Sequence, residues 1–344
     1  MSGIVIIGAG QAGSSLAIKL RTLGYEGAVT LIGEEPYAPY QRPPLSKTYL
    51  LGEMALERLY LRPQELYRDH NIELRLAAQV TAIDPVAGGV SLGHETLAYD
   101  QLALTTGSTP RLLPEAIGGG LKNVFAVRGL ADVDAMRPAF ERGGHVLIIG
   151  GGYIGLEAAA VAAKRGLKVT LVEMAERILQ RVACKETSDY FRDLHQSHGV
   201  TLLEGVGLSR LTGTDHVTGA ILSNGETLDI DFALVGVGIQ PNTGLAEAAG
   251  LTLNNGIETN ALGQTSEARI WAAGDCASFP YKGGRIRLES VPNAIDQAEV
   301  VAENMLGAKK EYHATPWFWS DQYDVKLQIA GLNQGFDTVV ARPG

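Results

Sequence analysis

The pattern that most constrains this chain is one it carries twice: an apolar strand, a G-x-G-x-x-G turn, a helix, a second strand and an acid. The first copy runs through a strand at 4–7, Gly8, Gly10 and Gly13, a helix over 14–23, and a strand at 29–32 that leads to Glu34. The second runs through 146–149, Gly150, Gly152 and Gly155, a helix over 156–165, a strand at 169–172, and Glu173. Glycine in such a turn lets the backbone approach a pyrophosphate, and the next helix presents free N–H groups and a positive dipole end to it. Each turn follows a strand, opens a helix and precedes an acid by about 20 residues, which is the context the motif needs. A chain of 344 residues, 45% hydrophobic, can bury the cores of two such units. The fold class is therefore α/β, with two Rossmann-like dinucleotide-binding domains.

Glu34 and Glu173 stand where a carboxylate can accept hydrogen bonds from the two ribose hydroxyls of an adenosine. At Glu173 this disfavours the extra phosphate of NADP, which would bring a dianion against a carboxylate, although Arg177 and Arg181 nearby pull the other way. The remaining landmarks are a Pro-rich loop at 36–44, an apolar strand at 102–104 running into Thr105-Thr106-Gly107, and a short apolar strand at 270–273 followed by Gly274-Asp275. Alternation at 201–203 and 220–222, with an Asn224-Gly225 turn, predicts an antiparallel flap, after which the strand 232–237 closes the insert. Ile295, Ala298, Val301 and Met305 share one face of a helix over 293–305. Gly274-Asp275 lies at the carboxyl end of a strand, where open α/β sheets place ligand contacts and where a carboxylate can hold a polyhydroxyl chain such as ribitol.

A net charge of -9 argues against nucleic acid or anionic lipid as the main partner. Cys184 and Cys276 are far apart and form neither a disulfide framework nor a metal spacing, which fits a reducing cytoplasm. The seven histidines show no metal-like cluster, so no metal is expected. The apolar stretch 146–163 is broken by three consecutive glycines and by Glu157, so no membrane span is expected.

The chain resembles the FAD- and NADH-dependent ferredoxin reductases of bacterial Rieske oxygenase and cytochrome P450 systems, over essentially its whole length. The resemblance rests on Gly8-Ala-Gly-Gln-Ala-Gly13, Arg42-Pro-Pro-Leu-Ser-Lys47, Gly150-Gly-Gly-Tyr-Ile-Gly-Leu-Glu157, Gly274-Asp-Cys276, Glu289-Ser-Val-Pro-Asn293 and Pro316-Trp-Phe-Trp-Ser320. It implies FAD on the first unit and NADH on the second, with the second domain inserted in the first and a partial α+β domain at the end. The implied divisions are 1–110 and 239–315 for FAD, 111–238 for NADH, and 316–344 for the start of a C-terminal domain that reads as truncated.

Candidate FAD contacts are Gly8, Gly10, Gln11, Ala12, Gly13, Glu34, Arg42, Lys47, Val80, Thr106, Gly107, Arg128, Gly274, Asp275, Val291 and Trp319. Candidate NAD contacts are Gly150, Gly152, Tyr153, Ile154, Gly155, Glu173, Arg181 and Gly236. The resemblance names Lys47 and Glu157 as the candidate catalytic pair, with the lysine beside the flavin and bonded to the glutamate; a cation there would stabilise electron-rich reduced flavin. Val291-Pro292-Asn293 opens a helix whose positive end would act in the same sense. The resemblance implies that hydride passes from NADH to FAD and that electrons then leave singly to a small acidic 2Fe-2S ferredoxin. Lys282, Arg285, Arg287, Lys309 and Lys310 are candidate steering cations for that ferredoxin.

A disulfide reductase would need a cysteine pair within 40–51, and an NADH oxidase a lone cysteine there; that stretch holds none. An NADH-sensing interaction protein of the apoptosis-inducing type is the remaining alternative, along with an oxidase-like flavoprotein. The resemblance also departs at Thr105, where relatives often carry alanine.

Overall fold

A computed structural model describes residues 3–342. In chain order its helices are α1 (Gln11–Thr22), α2 (Gln64–Asp69), α3 (Leu130–Arg142), α4 (Tyr153–Lys164), α5 (Lys185–Ser197), α6 (Gly244–Ala248) and α7 (Val291–Met305). The chain forms two compact units. One comprises Met1–Gln41, Glu57–Thr109 and Pro241–Phe318; the other comprises Arg42–Leu56, Pro110–Gln240 and Trp319–Gly344.

The first unit is built on a parallel sheet in the order Ile72–Arg75, Val29–Ile32, Gly3–Ile7, Glu95–Leu104, Ile270–Ala272. The long strand Glu95–Leu104 also pairs antiparallel with Gly89–Leu92. Strand side chains alternate between faces. Ile4 and Ile6 enter a core with Leu16, Leu20, Ala298 and Val301 of α1 and α7, while Val5 and Ile7 enter one with Val90, Leu102 and Leu104. Both faces are covered, which explains the unbroken apolar run. Each fully buried Leu or Ile contributes about 1.5–3 kcal/mol relative to exposure.

The second unit repeats the plan in the order Thr201–Glu204, Lys168–Glu173, His145–Ile149, Phe232–Val235, Val124–Phe125, all parallel. The antiparallel flap consists of Leu208–Gly213, Val217–Leu222 and Thr227–Asp229. The expectation that 201–203 belongs to it is corrected, because Thr201 pairs in parallel with Thr170 at the sheet edge. The intervening α5 supplies the crossover that parallel pairing requires. Both motif helices also begin three residues earlier than predicted, at Gln11 and Tyr153, inside the glycine turn. A glycine costs about 1 kcal/mol in a helix interior, but here close packing overrides propensity.

Candidate functional site

In the first unit Gly8 has φ +115° and Gly13 sits in the first turn of α1; a Cβ on Gly8 would strike the Thr105 carbonyl, and one on Gly13 the Gly8 carbonyl. Gly10 is the opposite case. A Cβ there would meet nothing within 4 Å, so the backbone faces open space at the mouth of α1. Gly10 is also the N-cap and makes no side-chain cap, so the first-turn N–H groups, those of Gln11 and Ala12 among them, are left for a ligand. The second unit reproduces each feature. Gly150 has φ +109° and abuts the Gly236 carbonyl, Gly155 packs on Gly150, and Gly152 faces open space as an uncapped N-cap.

Around the first turn, the single proton of the Thr105 hydroxyl lies within reach of the carbonyls of Gly8 (2.8 Å) and Ile7 (3.1 Å), so threonine here adds one bifurcated bond. The Thr106 hydroxyl donates to the Asn242 carbonyl (2.7 Å), and the Asn242 amide returns a bond to the Thr106 carbonyl (2.9 Å). The Asn242 N–H donates to the Gly107 carbonyl (3.0 Å). The parallel pairing of Ile270–Ala272 with Leu102–Leu104 brings Gly274-Asp275 beside this stretch, where the Ser108 hydroxyl donates to the Asp275 carboxylate (2.8 Å). The Gly274 N–H donates to the Gln297 side-chain oxygen (2.9 Å). Gln297 is 1% exposed, and its Nε2 has no partner among the described residues. A buried orphan amide beside an open glycine cradle fits a bound polar cofactor. Glu34 is exposed at its strand end, Val80 is buried, and Val291 is the first residue of α7, whose N-cap Ser290 accepts from the Asn293 N–H (3.3 Å).

Around the second turn, both oxygens of Glu173 accept backbone N–H groups, from Gly151 (2.6 Å) and Ala175 (2.7 Å). This fixes the carboxylate at the end of its strand and leaves each oxygen one lone pair. Arg177 is turned away into structure: it donates to the Ser188 hydroxyl (2.5 Å) and the Cys184 carbonyl (3.3 Å). Arg181 is exposed, as is Ile154. The Tyr153 hydroxyl is buried without a partner among the described residues, and burial pushes its pKa up to about 12.

Lys47, which follows a 3-10 turn at Pro43–Ser46, meets Glu157 of α4 at 2.9 Å. Glu157 is 5% exposed and accepts two further bonds, from Ser46 (2.9 Å) and Ser320 (2.8 Å). Burial pushes its carboxyl up, and the Lys47 ammonium with the two hydroxyls pulls it back. An acid at the start of a helix reads in sequence as a solvated dipole partner, whereas here it is a buried carboxyl held against Lys47. Arg42 donates to the Arg128 carbonyl (2.6 Å), and the Arg128 N–H to Asp132 (2.9 Å). Trp319 is half-buried in the strand Trp317–Gln322.

Sequence reasoning gives no role to Ser46, Ser108, Asn242, Gln297 or Ser320; Ser46 and Ser320 lie inside motifs that carry the resemblance but receive no role there, and Ser108, Asn242 and Gln297 are lone polar residues that carry no pattern. Four of the five candidate steering cations are engaged in the fold: Arg287 with Glu289 (2.6 Å), Lys310 with Glu303 (2.9 Å), Arg285 with the carbonyls of Thr259 and Ser278, and Lys282 over the Tyr281 ring (5.3 Å). Cys276 is fully buried and inert, its thiol pKa raised by burial. No group of metal-ligating residues occurs among the described residues, and no helix there is long and apolar enough to cross a membrane.

Comparison with known proteins agrees with this geometry. The family model described as pyridine nucleotide-disulphide oxidoreductase matches residues 2–298, and one described as reductase C-terminal matches 317–344. Rhodocoxin reductase of Rhodococcus erythropolis is 42% identical over 98% of this chain and 80% of its own length. The crystal structure of the ferredoxin reductase for the CYP199A2 system of Rhodopseudomonas palustris superposes with a TM-score of 0.96 at 42% identity, covering 100% of this chain and 86% of that one. The reductase of a covalent putidaredoxin reductase–putidaredoxin complex gives 0.93 at 40%, covering 98% and 83%. The chain therefore belongs to the pyridine nucleotide-disulphide oxidoreductase family, among its FAD- and NAD(P)-dependent ferredoxin reductases.

Proposed function

We propose that this protein is a cytoplasmic NADH:ferredoxin reductase, with FAD on the turn at Gly8–Gly13 and NADH on the turn at Gly150–Gly155. The observation that carries the reading is the repeated pairing of a close-packed glycine with an open, uncapped helix mouth. Bound FAD would supply the redox chemistry, accepting a hydride from NADH and releasing single electrons to a 2Fe-2S ferredoxin.

The chain's own residues bind, orient and neutralise. The uncapped N–H groups at the start of α1 and α4 would hold the two pyrophosphates. Glu34 and Asp275 hold ribose and ribitol hydroxyls, with Ser108 fixing the rotamer of Asp275. Glu173, already anchored by two backbone N–H groups, sets a rigid negative charge where a 2′-phosphate would lie, and the engagement of Arg177 elsewhere removes one counterion for it. NADH is therefore preferred over NADPH. The assignment of Arg42, Lys47, Val80, Arg128, Val291 and Trp319 to the flavin rests on the resemblance. In that assignment the Lys47 ammonium stabilises negative charge on the reduced ring, and Glu157 holds the ammonium in place.

Anaerobic titration of the yellow protein with NADH and NADPH, followed by an oxidised plant-type ferredoxin, tests the whole reading. Bleaching by NADH and recovery of colour on adding ferredoxin are expected. Bleaching with no recovery removes the ferredoxin half, and a colourless protein that takes up no FAD removes the reading altogether.

A further inference from the structure

The carboxylate of Glu157 is the end of a longer chain of hydrogen bonds, all of it inside the second unit. The Ser320 hydroxyl that donates to Glu157 accepts from the Gln322 amide (3.1 Å). The Gln322 oxygen faces Nε2 of His195 (2.8 Å), and Nδ1 of His195 faces the Tyr323 hydroxyl (3.1 Å). His195, Ser320 and Gln322 are fully buried. An amide oxygen only accepts, so Nε2 of His195 carries the proton, and neutral Nδ1 then accepts from Tyr323. Every donor along the chain thus points toward Glu157. Reversing any one of them would break its neighbour.

The far end is held with equal care. Tyr323 begins the two-residue loop between the strands Trp317–Gln322 and Val325–Ala330 and has φ +57°, a left-handed conformation that costs a non-glycine residue about 1 kcal/mol or more. Its ring stacks on His198 at 3.7 Å with an interplanar angle of 17°. The strained backbone is thus matched by a ring clamp that aims the hydroxyl at His195.

We propose that His195, Gln322 and Ser320 are positioning residues that deliver an oriented hydrogen bond to Glu157, keeping it ionised opposite Lys47. Its bearing on the flavin rests on the function proposed above. The titratable groups facing Glu157 and His195 are Lys47 for the first, and Tyr323 and His198 for the second. Burial lowers the pKa of His195, so it stays neutral where an exposed histidine would charge, and the polarity of the chain persists.

The test uses the full chain carrying FAD. Nitrogen-15 correlation spectra of the unaltered protein should show His195 protonated on Nε2 and not titrating across the ordinary histidine range. Flavin midpoint potential is then followed against pH in Ser320→Ala, Gln322→Leu, Ser320→Thr and Lys47→Ala. Losing a donor makes Glu157 more basic, so the pair gains net positive charge at a higher pH. The acid upturn of the potential should move up by about one pH unit in Ser320→Ala and Gln322→Leu, and stay put in Ser320→Thr. Protonation on Nδ1 overturns the chain. So do Ser320→Ala and Gln322→Leu profiles that superimpose on the parent while Lys47→Ala departs from it. If the Lys47→Ala profile also superimposes, what fails is the placing of the pair beside the flavin.

Discussion

The two glycine turns share one plan and differ in what covers them. Ala12 and Ile154 occupy the same place, the second residue of their helices, yet Ala12 is 7% exposed and Ile154 39%. Over the first turn, α7 packs on α1, and Gly274 comes so close that a Cβ there would lie 3.0 Å from that of Ala12 and 3.8 Å from that of Ala294. Over the second, Ile154 stands out to solvent. On the function proposed above, the packed flank of the first turn suits a cofactor that stays through every cycle, and the exposed flank of the second suits one that leaves each time. The mouths at Gly10 and Gly152 are alike, so the flanking element makes the difference.

Substituting the matched glycines gives the largest expected effect. Gly13→Ala forces a Cβ into the Gly8 carbonyl, an overpacking cost of about 1–3 kcal/mol, and should yield colourless protein with a lowered melting temperature. Gly155→Ala makes the equivalent clash with Gly150 but should purify yellow, with KM for NADH raised at least about tenfold. Flavin content and NADH kinetics check both. A Gly155→Ala protein that loses flavin would break the comparison.

The next contrast sets Glu157 against Ser15, its counterpart at the fifth position of α1. Glu157→Ala strands the Lys47 charge and should cost about 3 kcal/mol in denaturant unfolding. Ser15→Ala should stay within about 0.5 kcal/mol. Equal losses would mean that the buried ion is no special feature of the second helix.

A smaller effect is expected at the two acids. Glu173→Ala removes two backbone anchors and should raise KM for NADH about tenfold while narrowing the preference over NADPH. Glu34→Ala, at an exposed position on a retained cofactor, should leave turnover nearly unchanged and speed flavin loss on dilution. The comparison weakens if both acids alter NADH kinetics alike.

The smallest effect concerns acid. Burial lowers the pKa of His145 and of His195, both in the second unit, below the ordinary histidine value of 6.5. The unfolded chain therefore takes up their protons at higher pH than the folded one. The stability they support is complete above pH 6.5 and declines as the pH falls below it, by at most about 1.4 kcal/mol per pH unit for each group. Melting curves at decreasing pH should show this decline, flattened in His145→Gln; a parent curve with no acid limb sinks the prediction.

Both Rossmann units and their order are legible in the amino-acid sequence, because strand, glycine turn, helix and acid are adjacent there and hydrophobic period and motif spacing report local geometry. The edge strand Thr201–Glu204 is not, because alternation gives a strand but not its partner; pairing is set by the crossover helix. The roles of Ser320, Gln322 and His195 are hidden for a related reason: 127 residues separate His195 from Gln322, and 163 separate Glu157 from Ser320.

The sequence by itself determined that the chain folds around two dinucleotide turns and which glycines must remain glycine, because those demands are satisfied within about 30 residues of chain. Only the tertiary structure decided that the second residue of one motif helix is packed and that of the other exposed, and that Glu157 is a buried carboxyl paired with Lys47. Burial and hydrogen-bond direction depend on which distant segment arrives overhead, and no local pattern encodes that arrival.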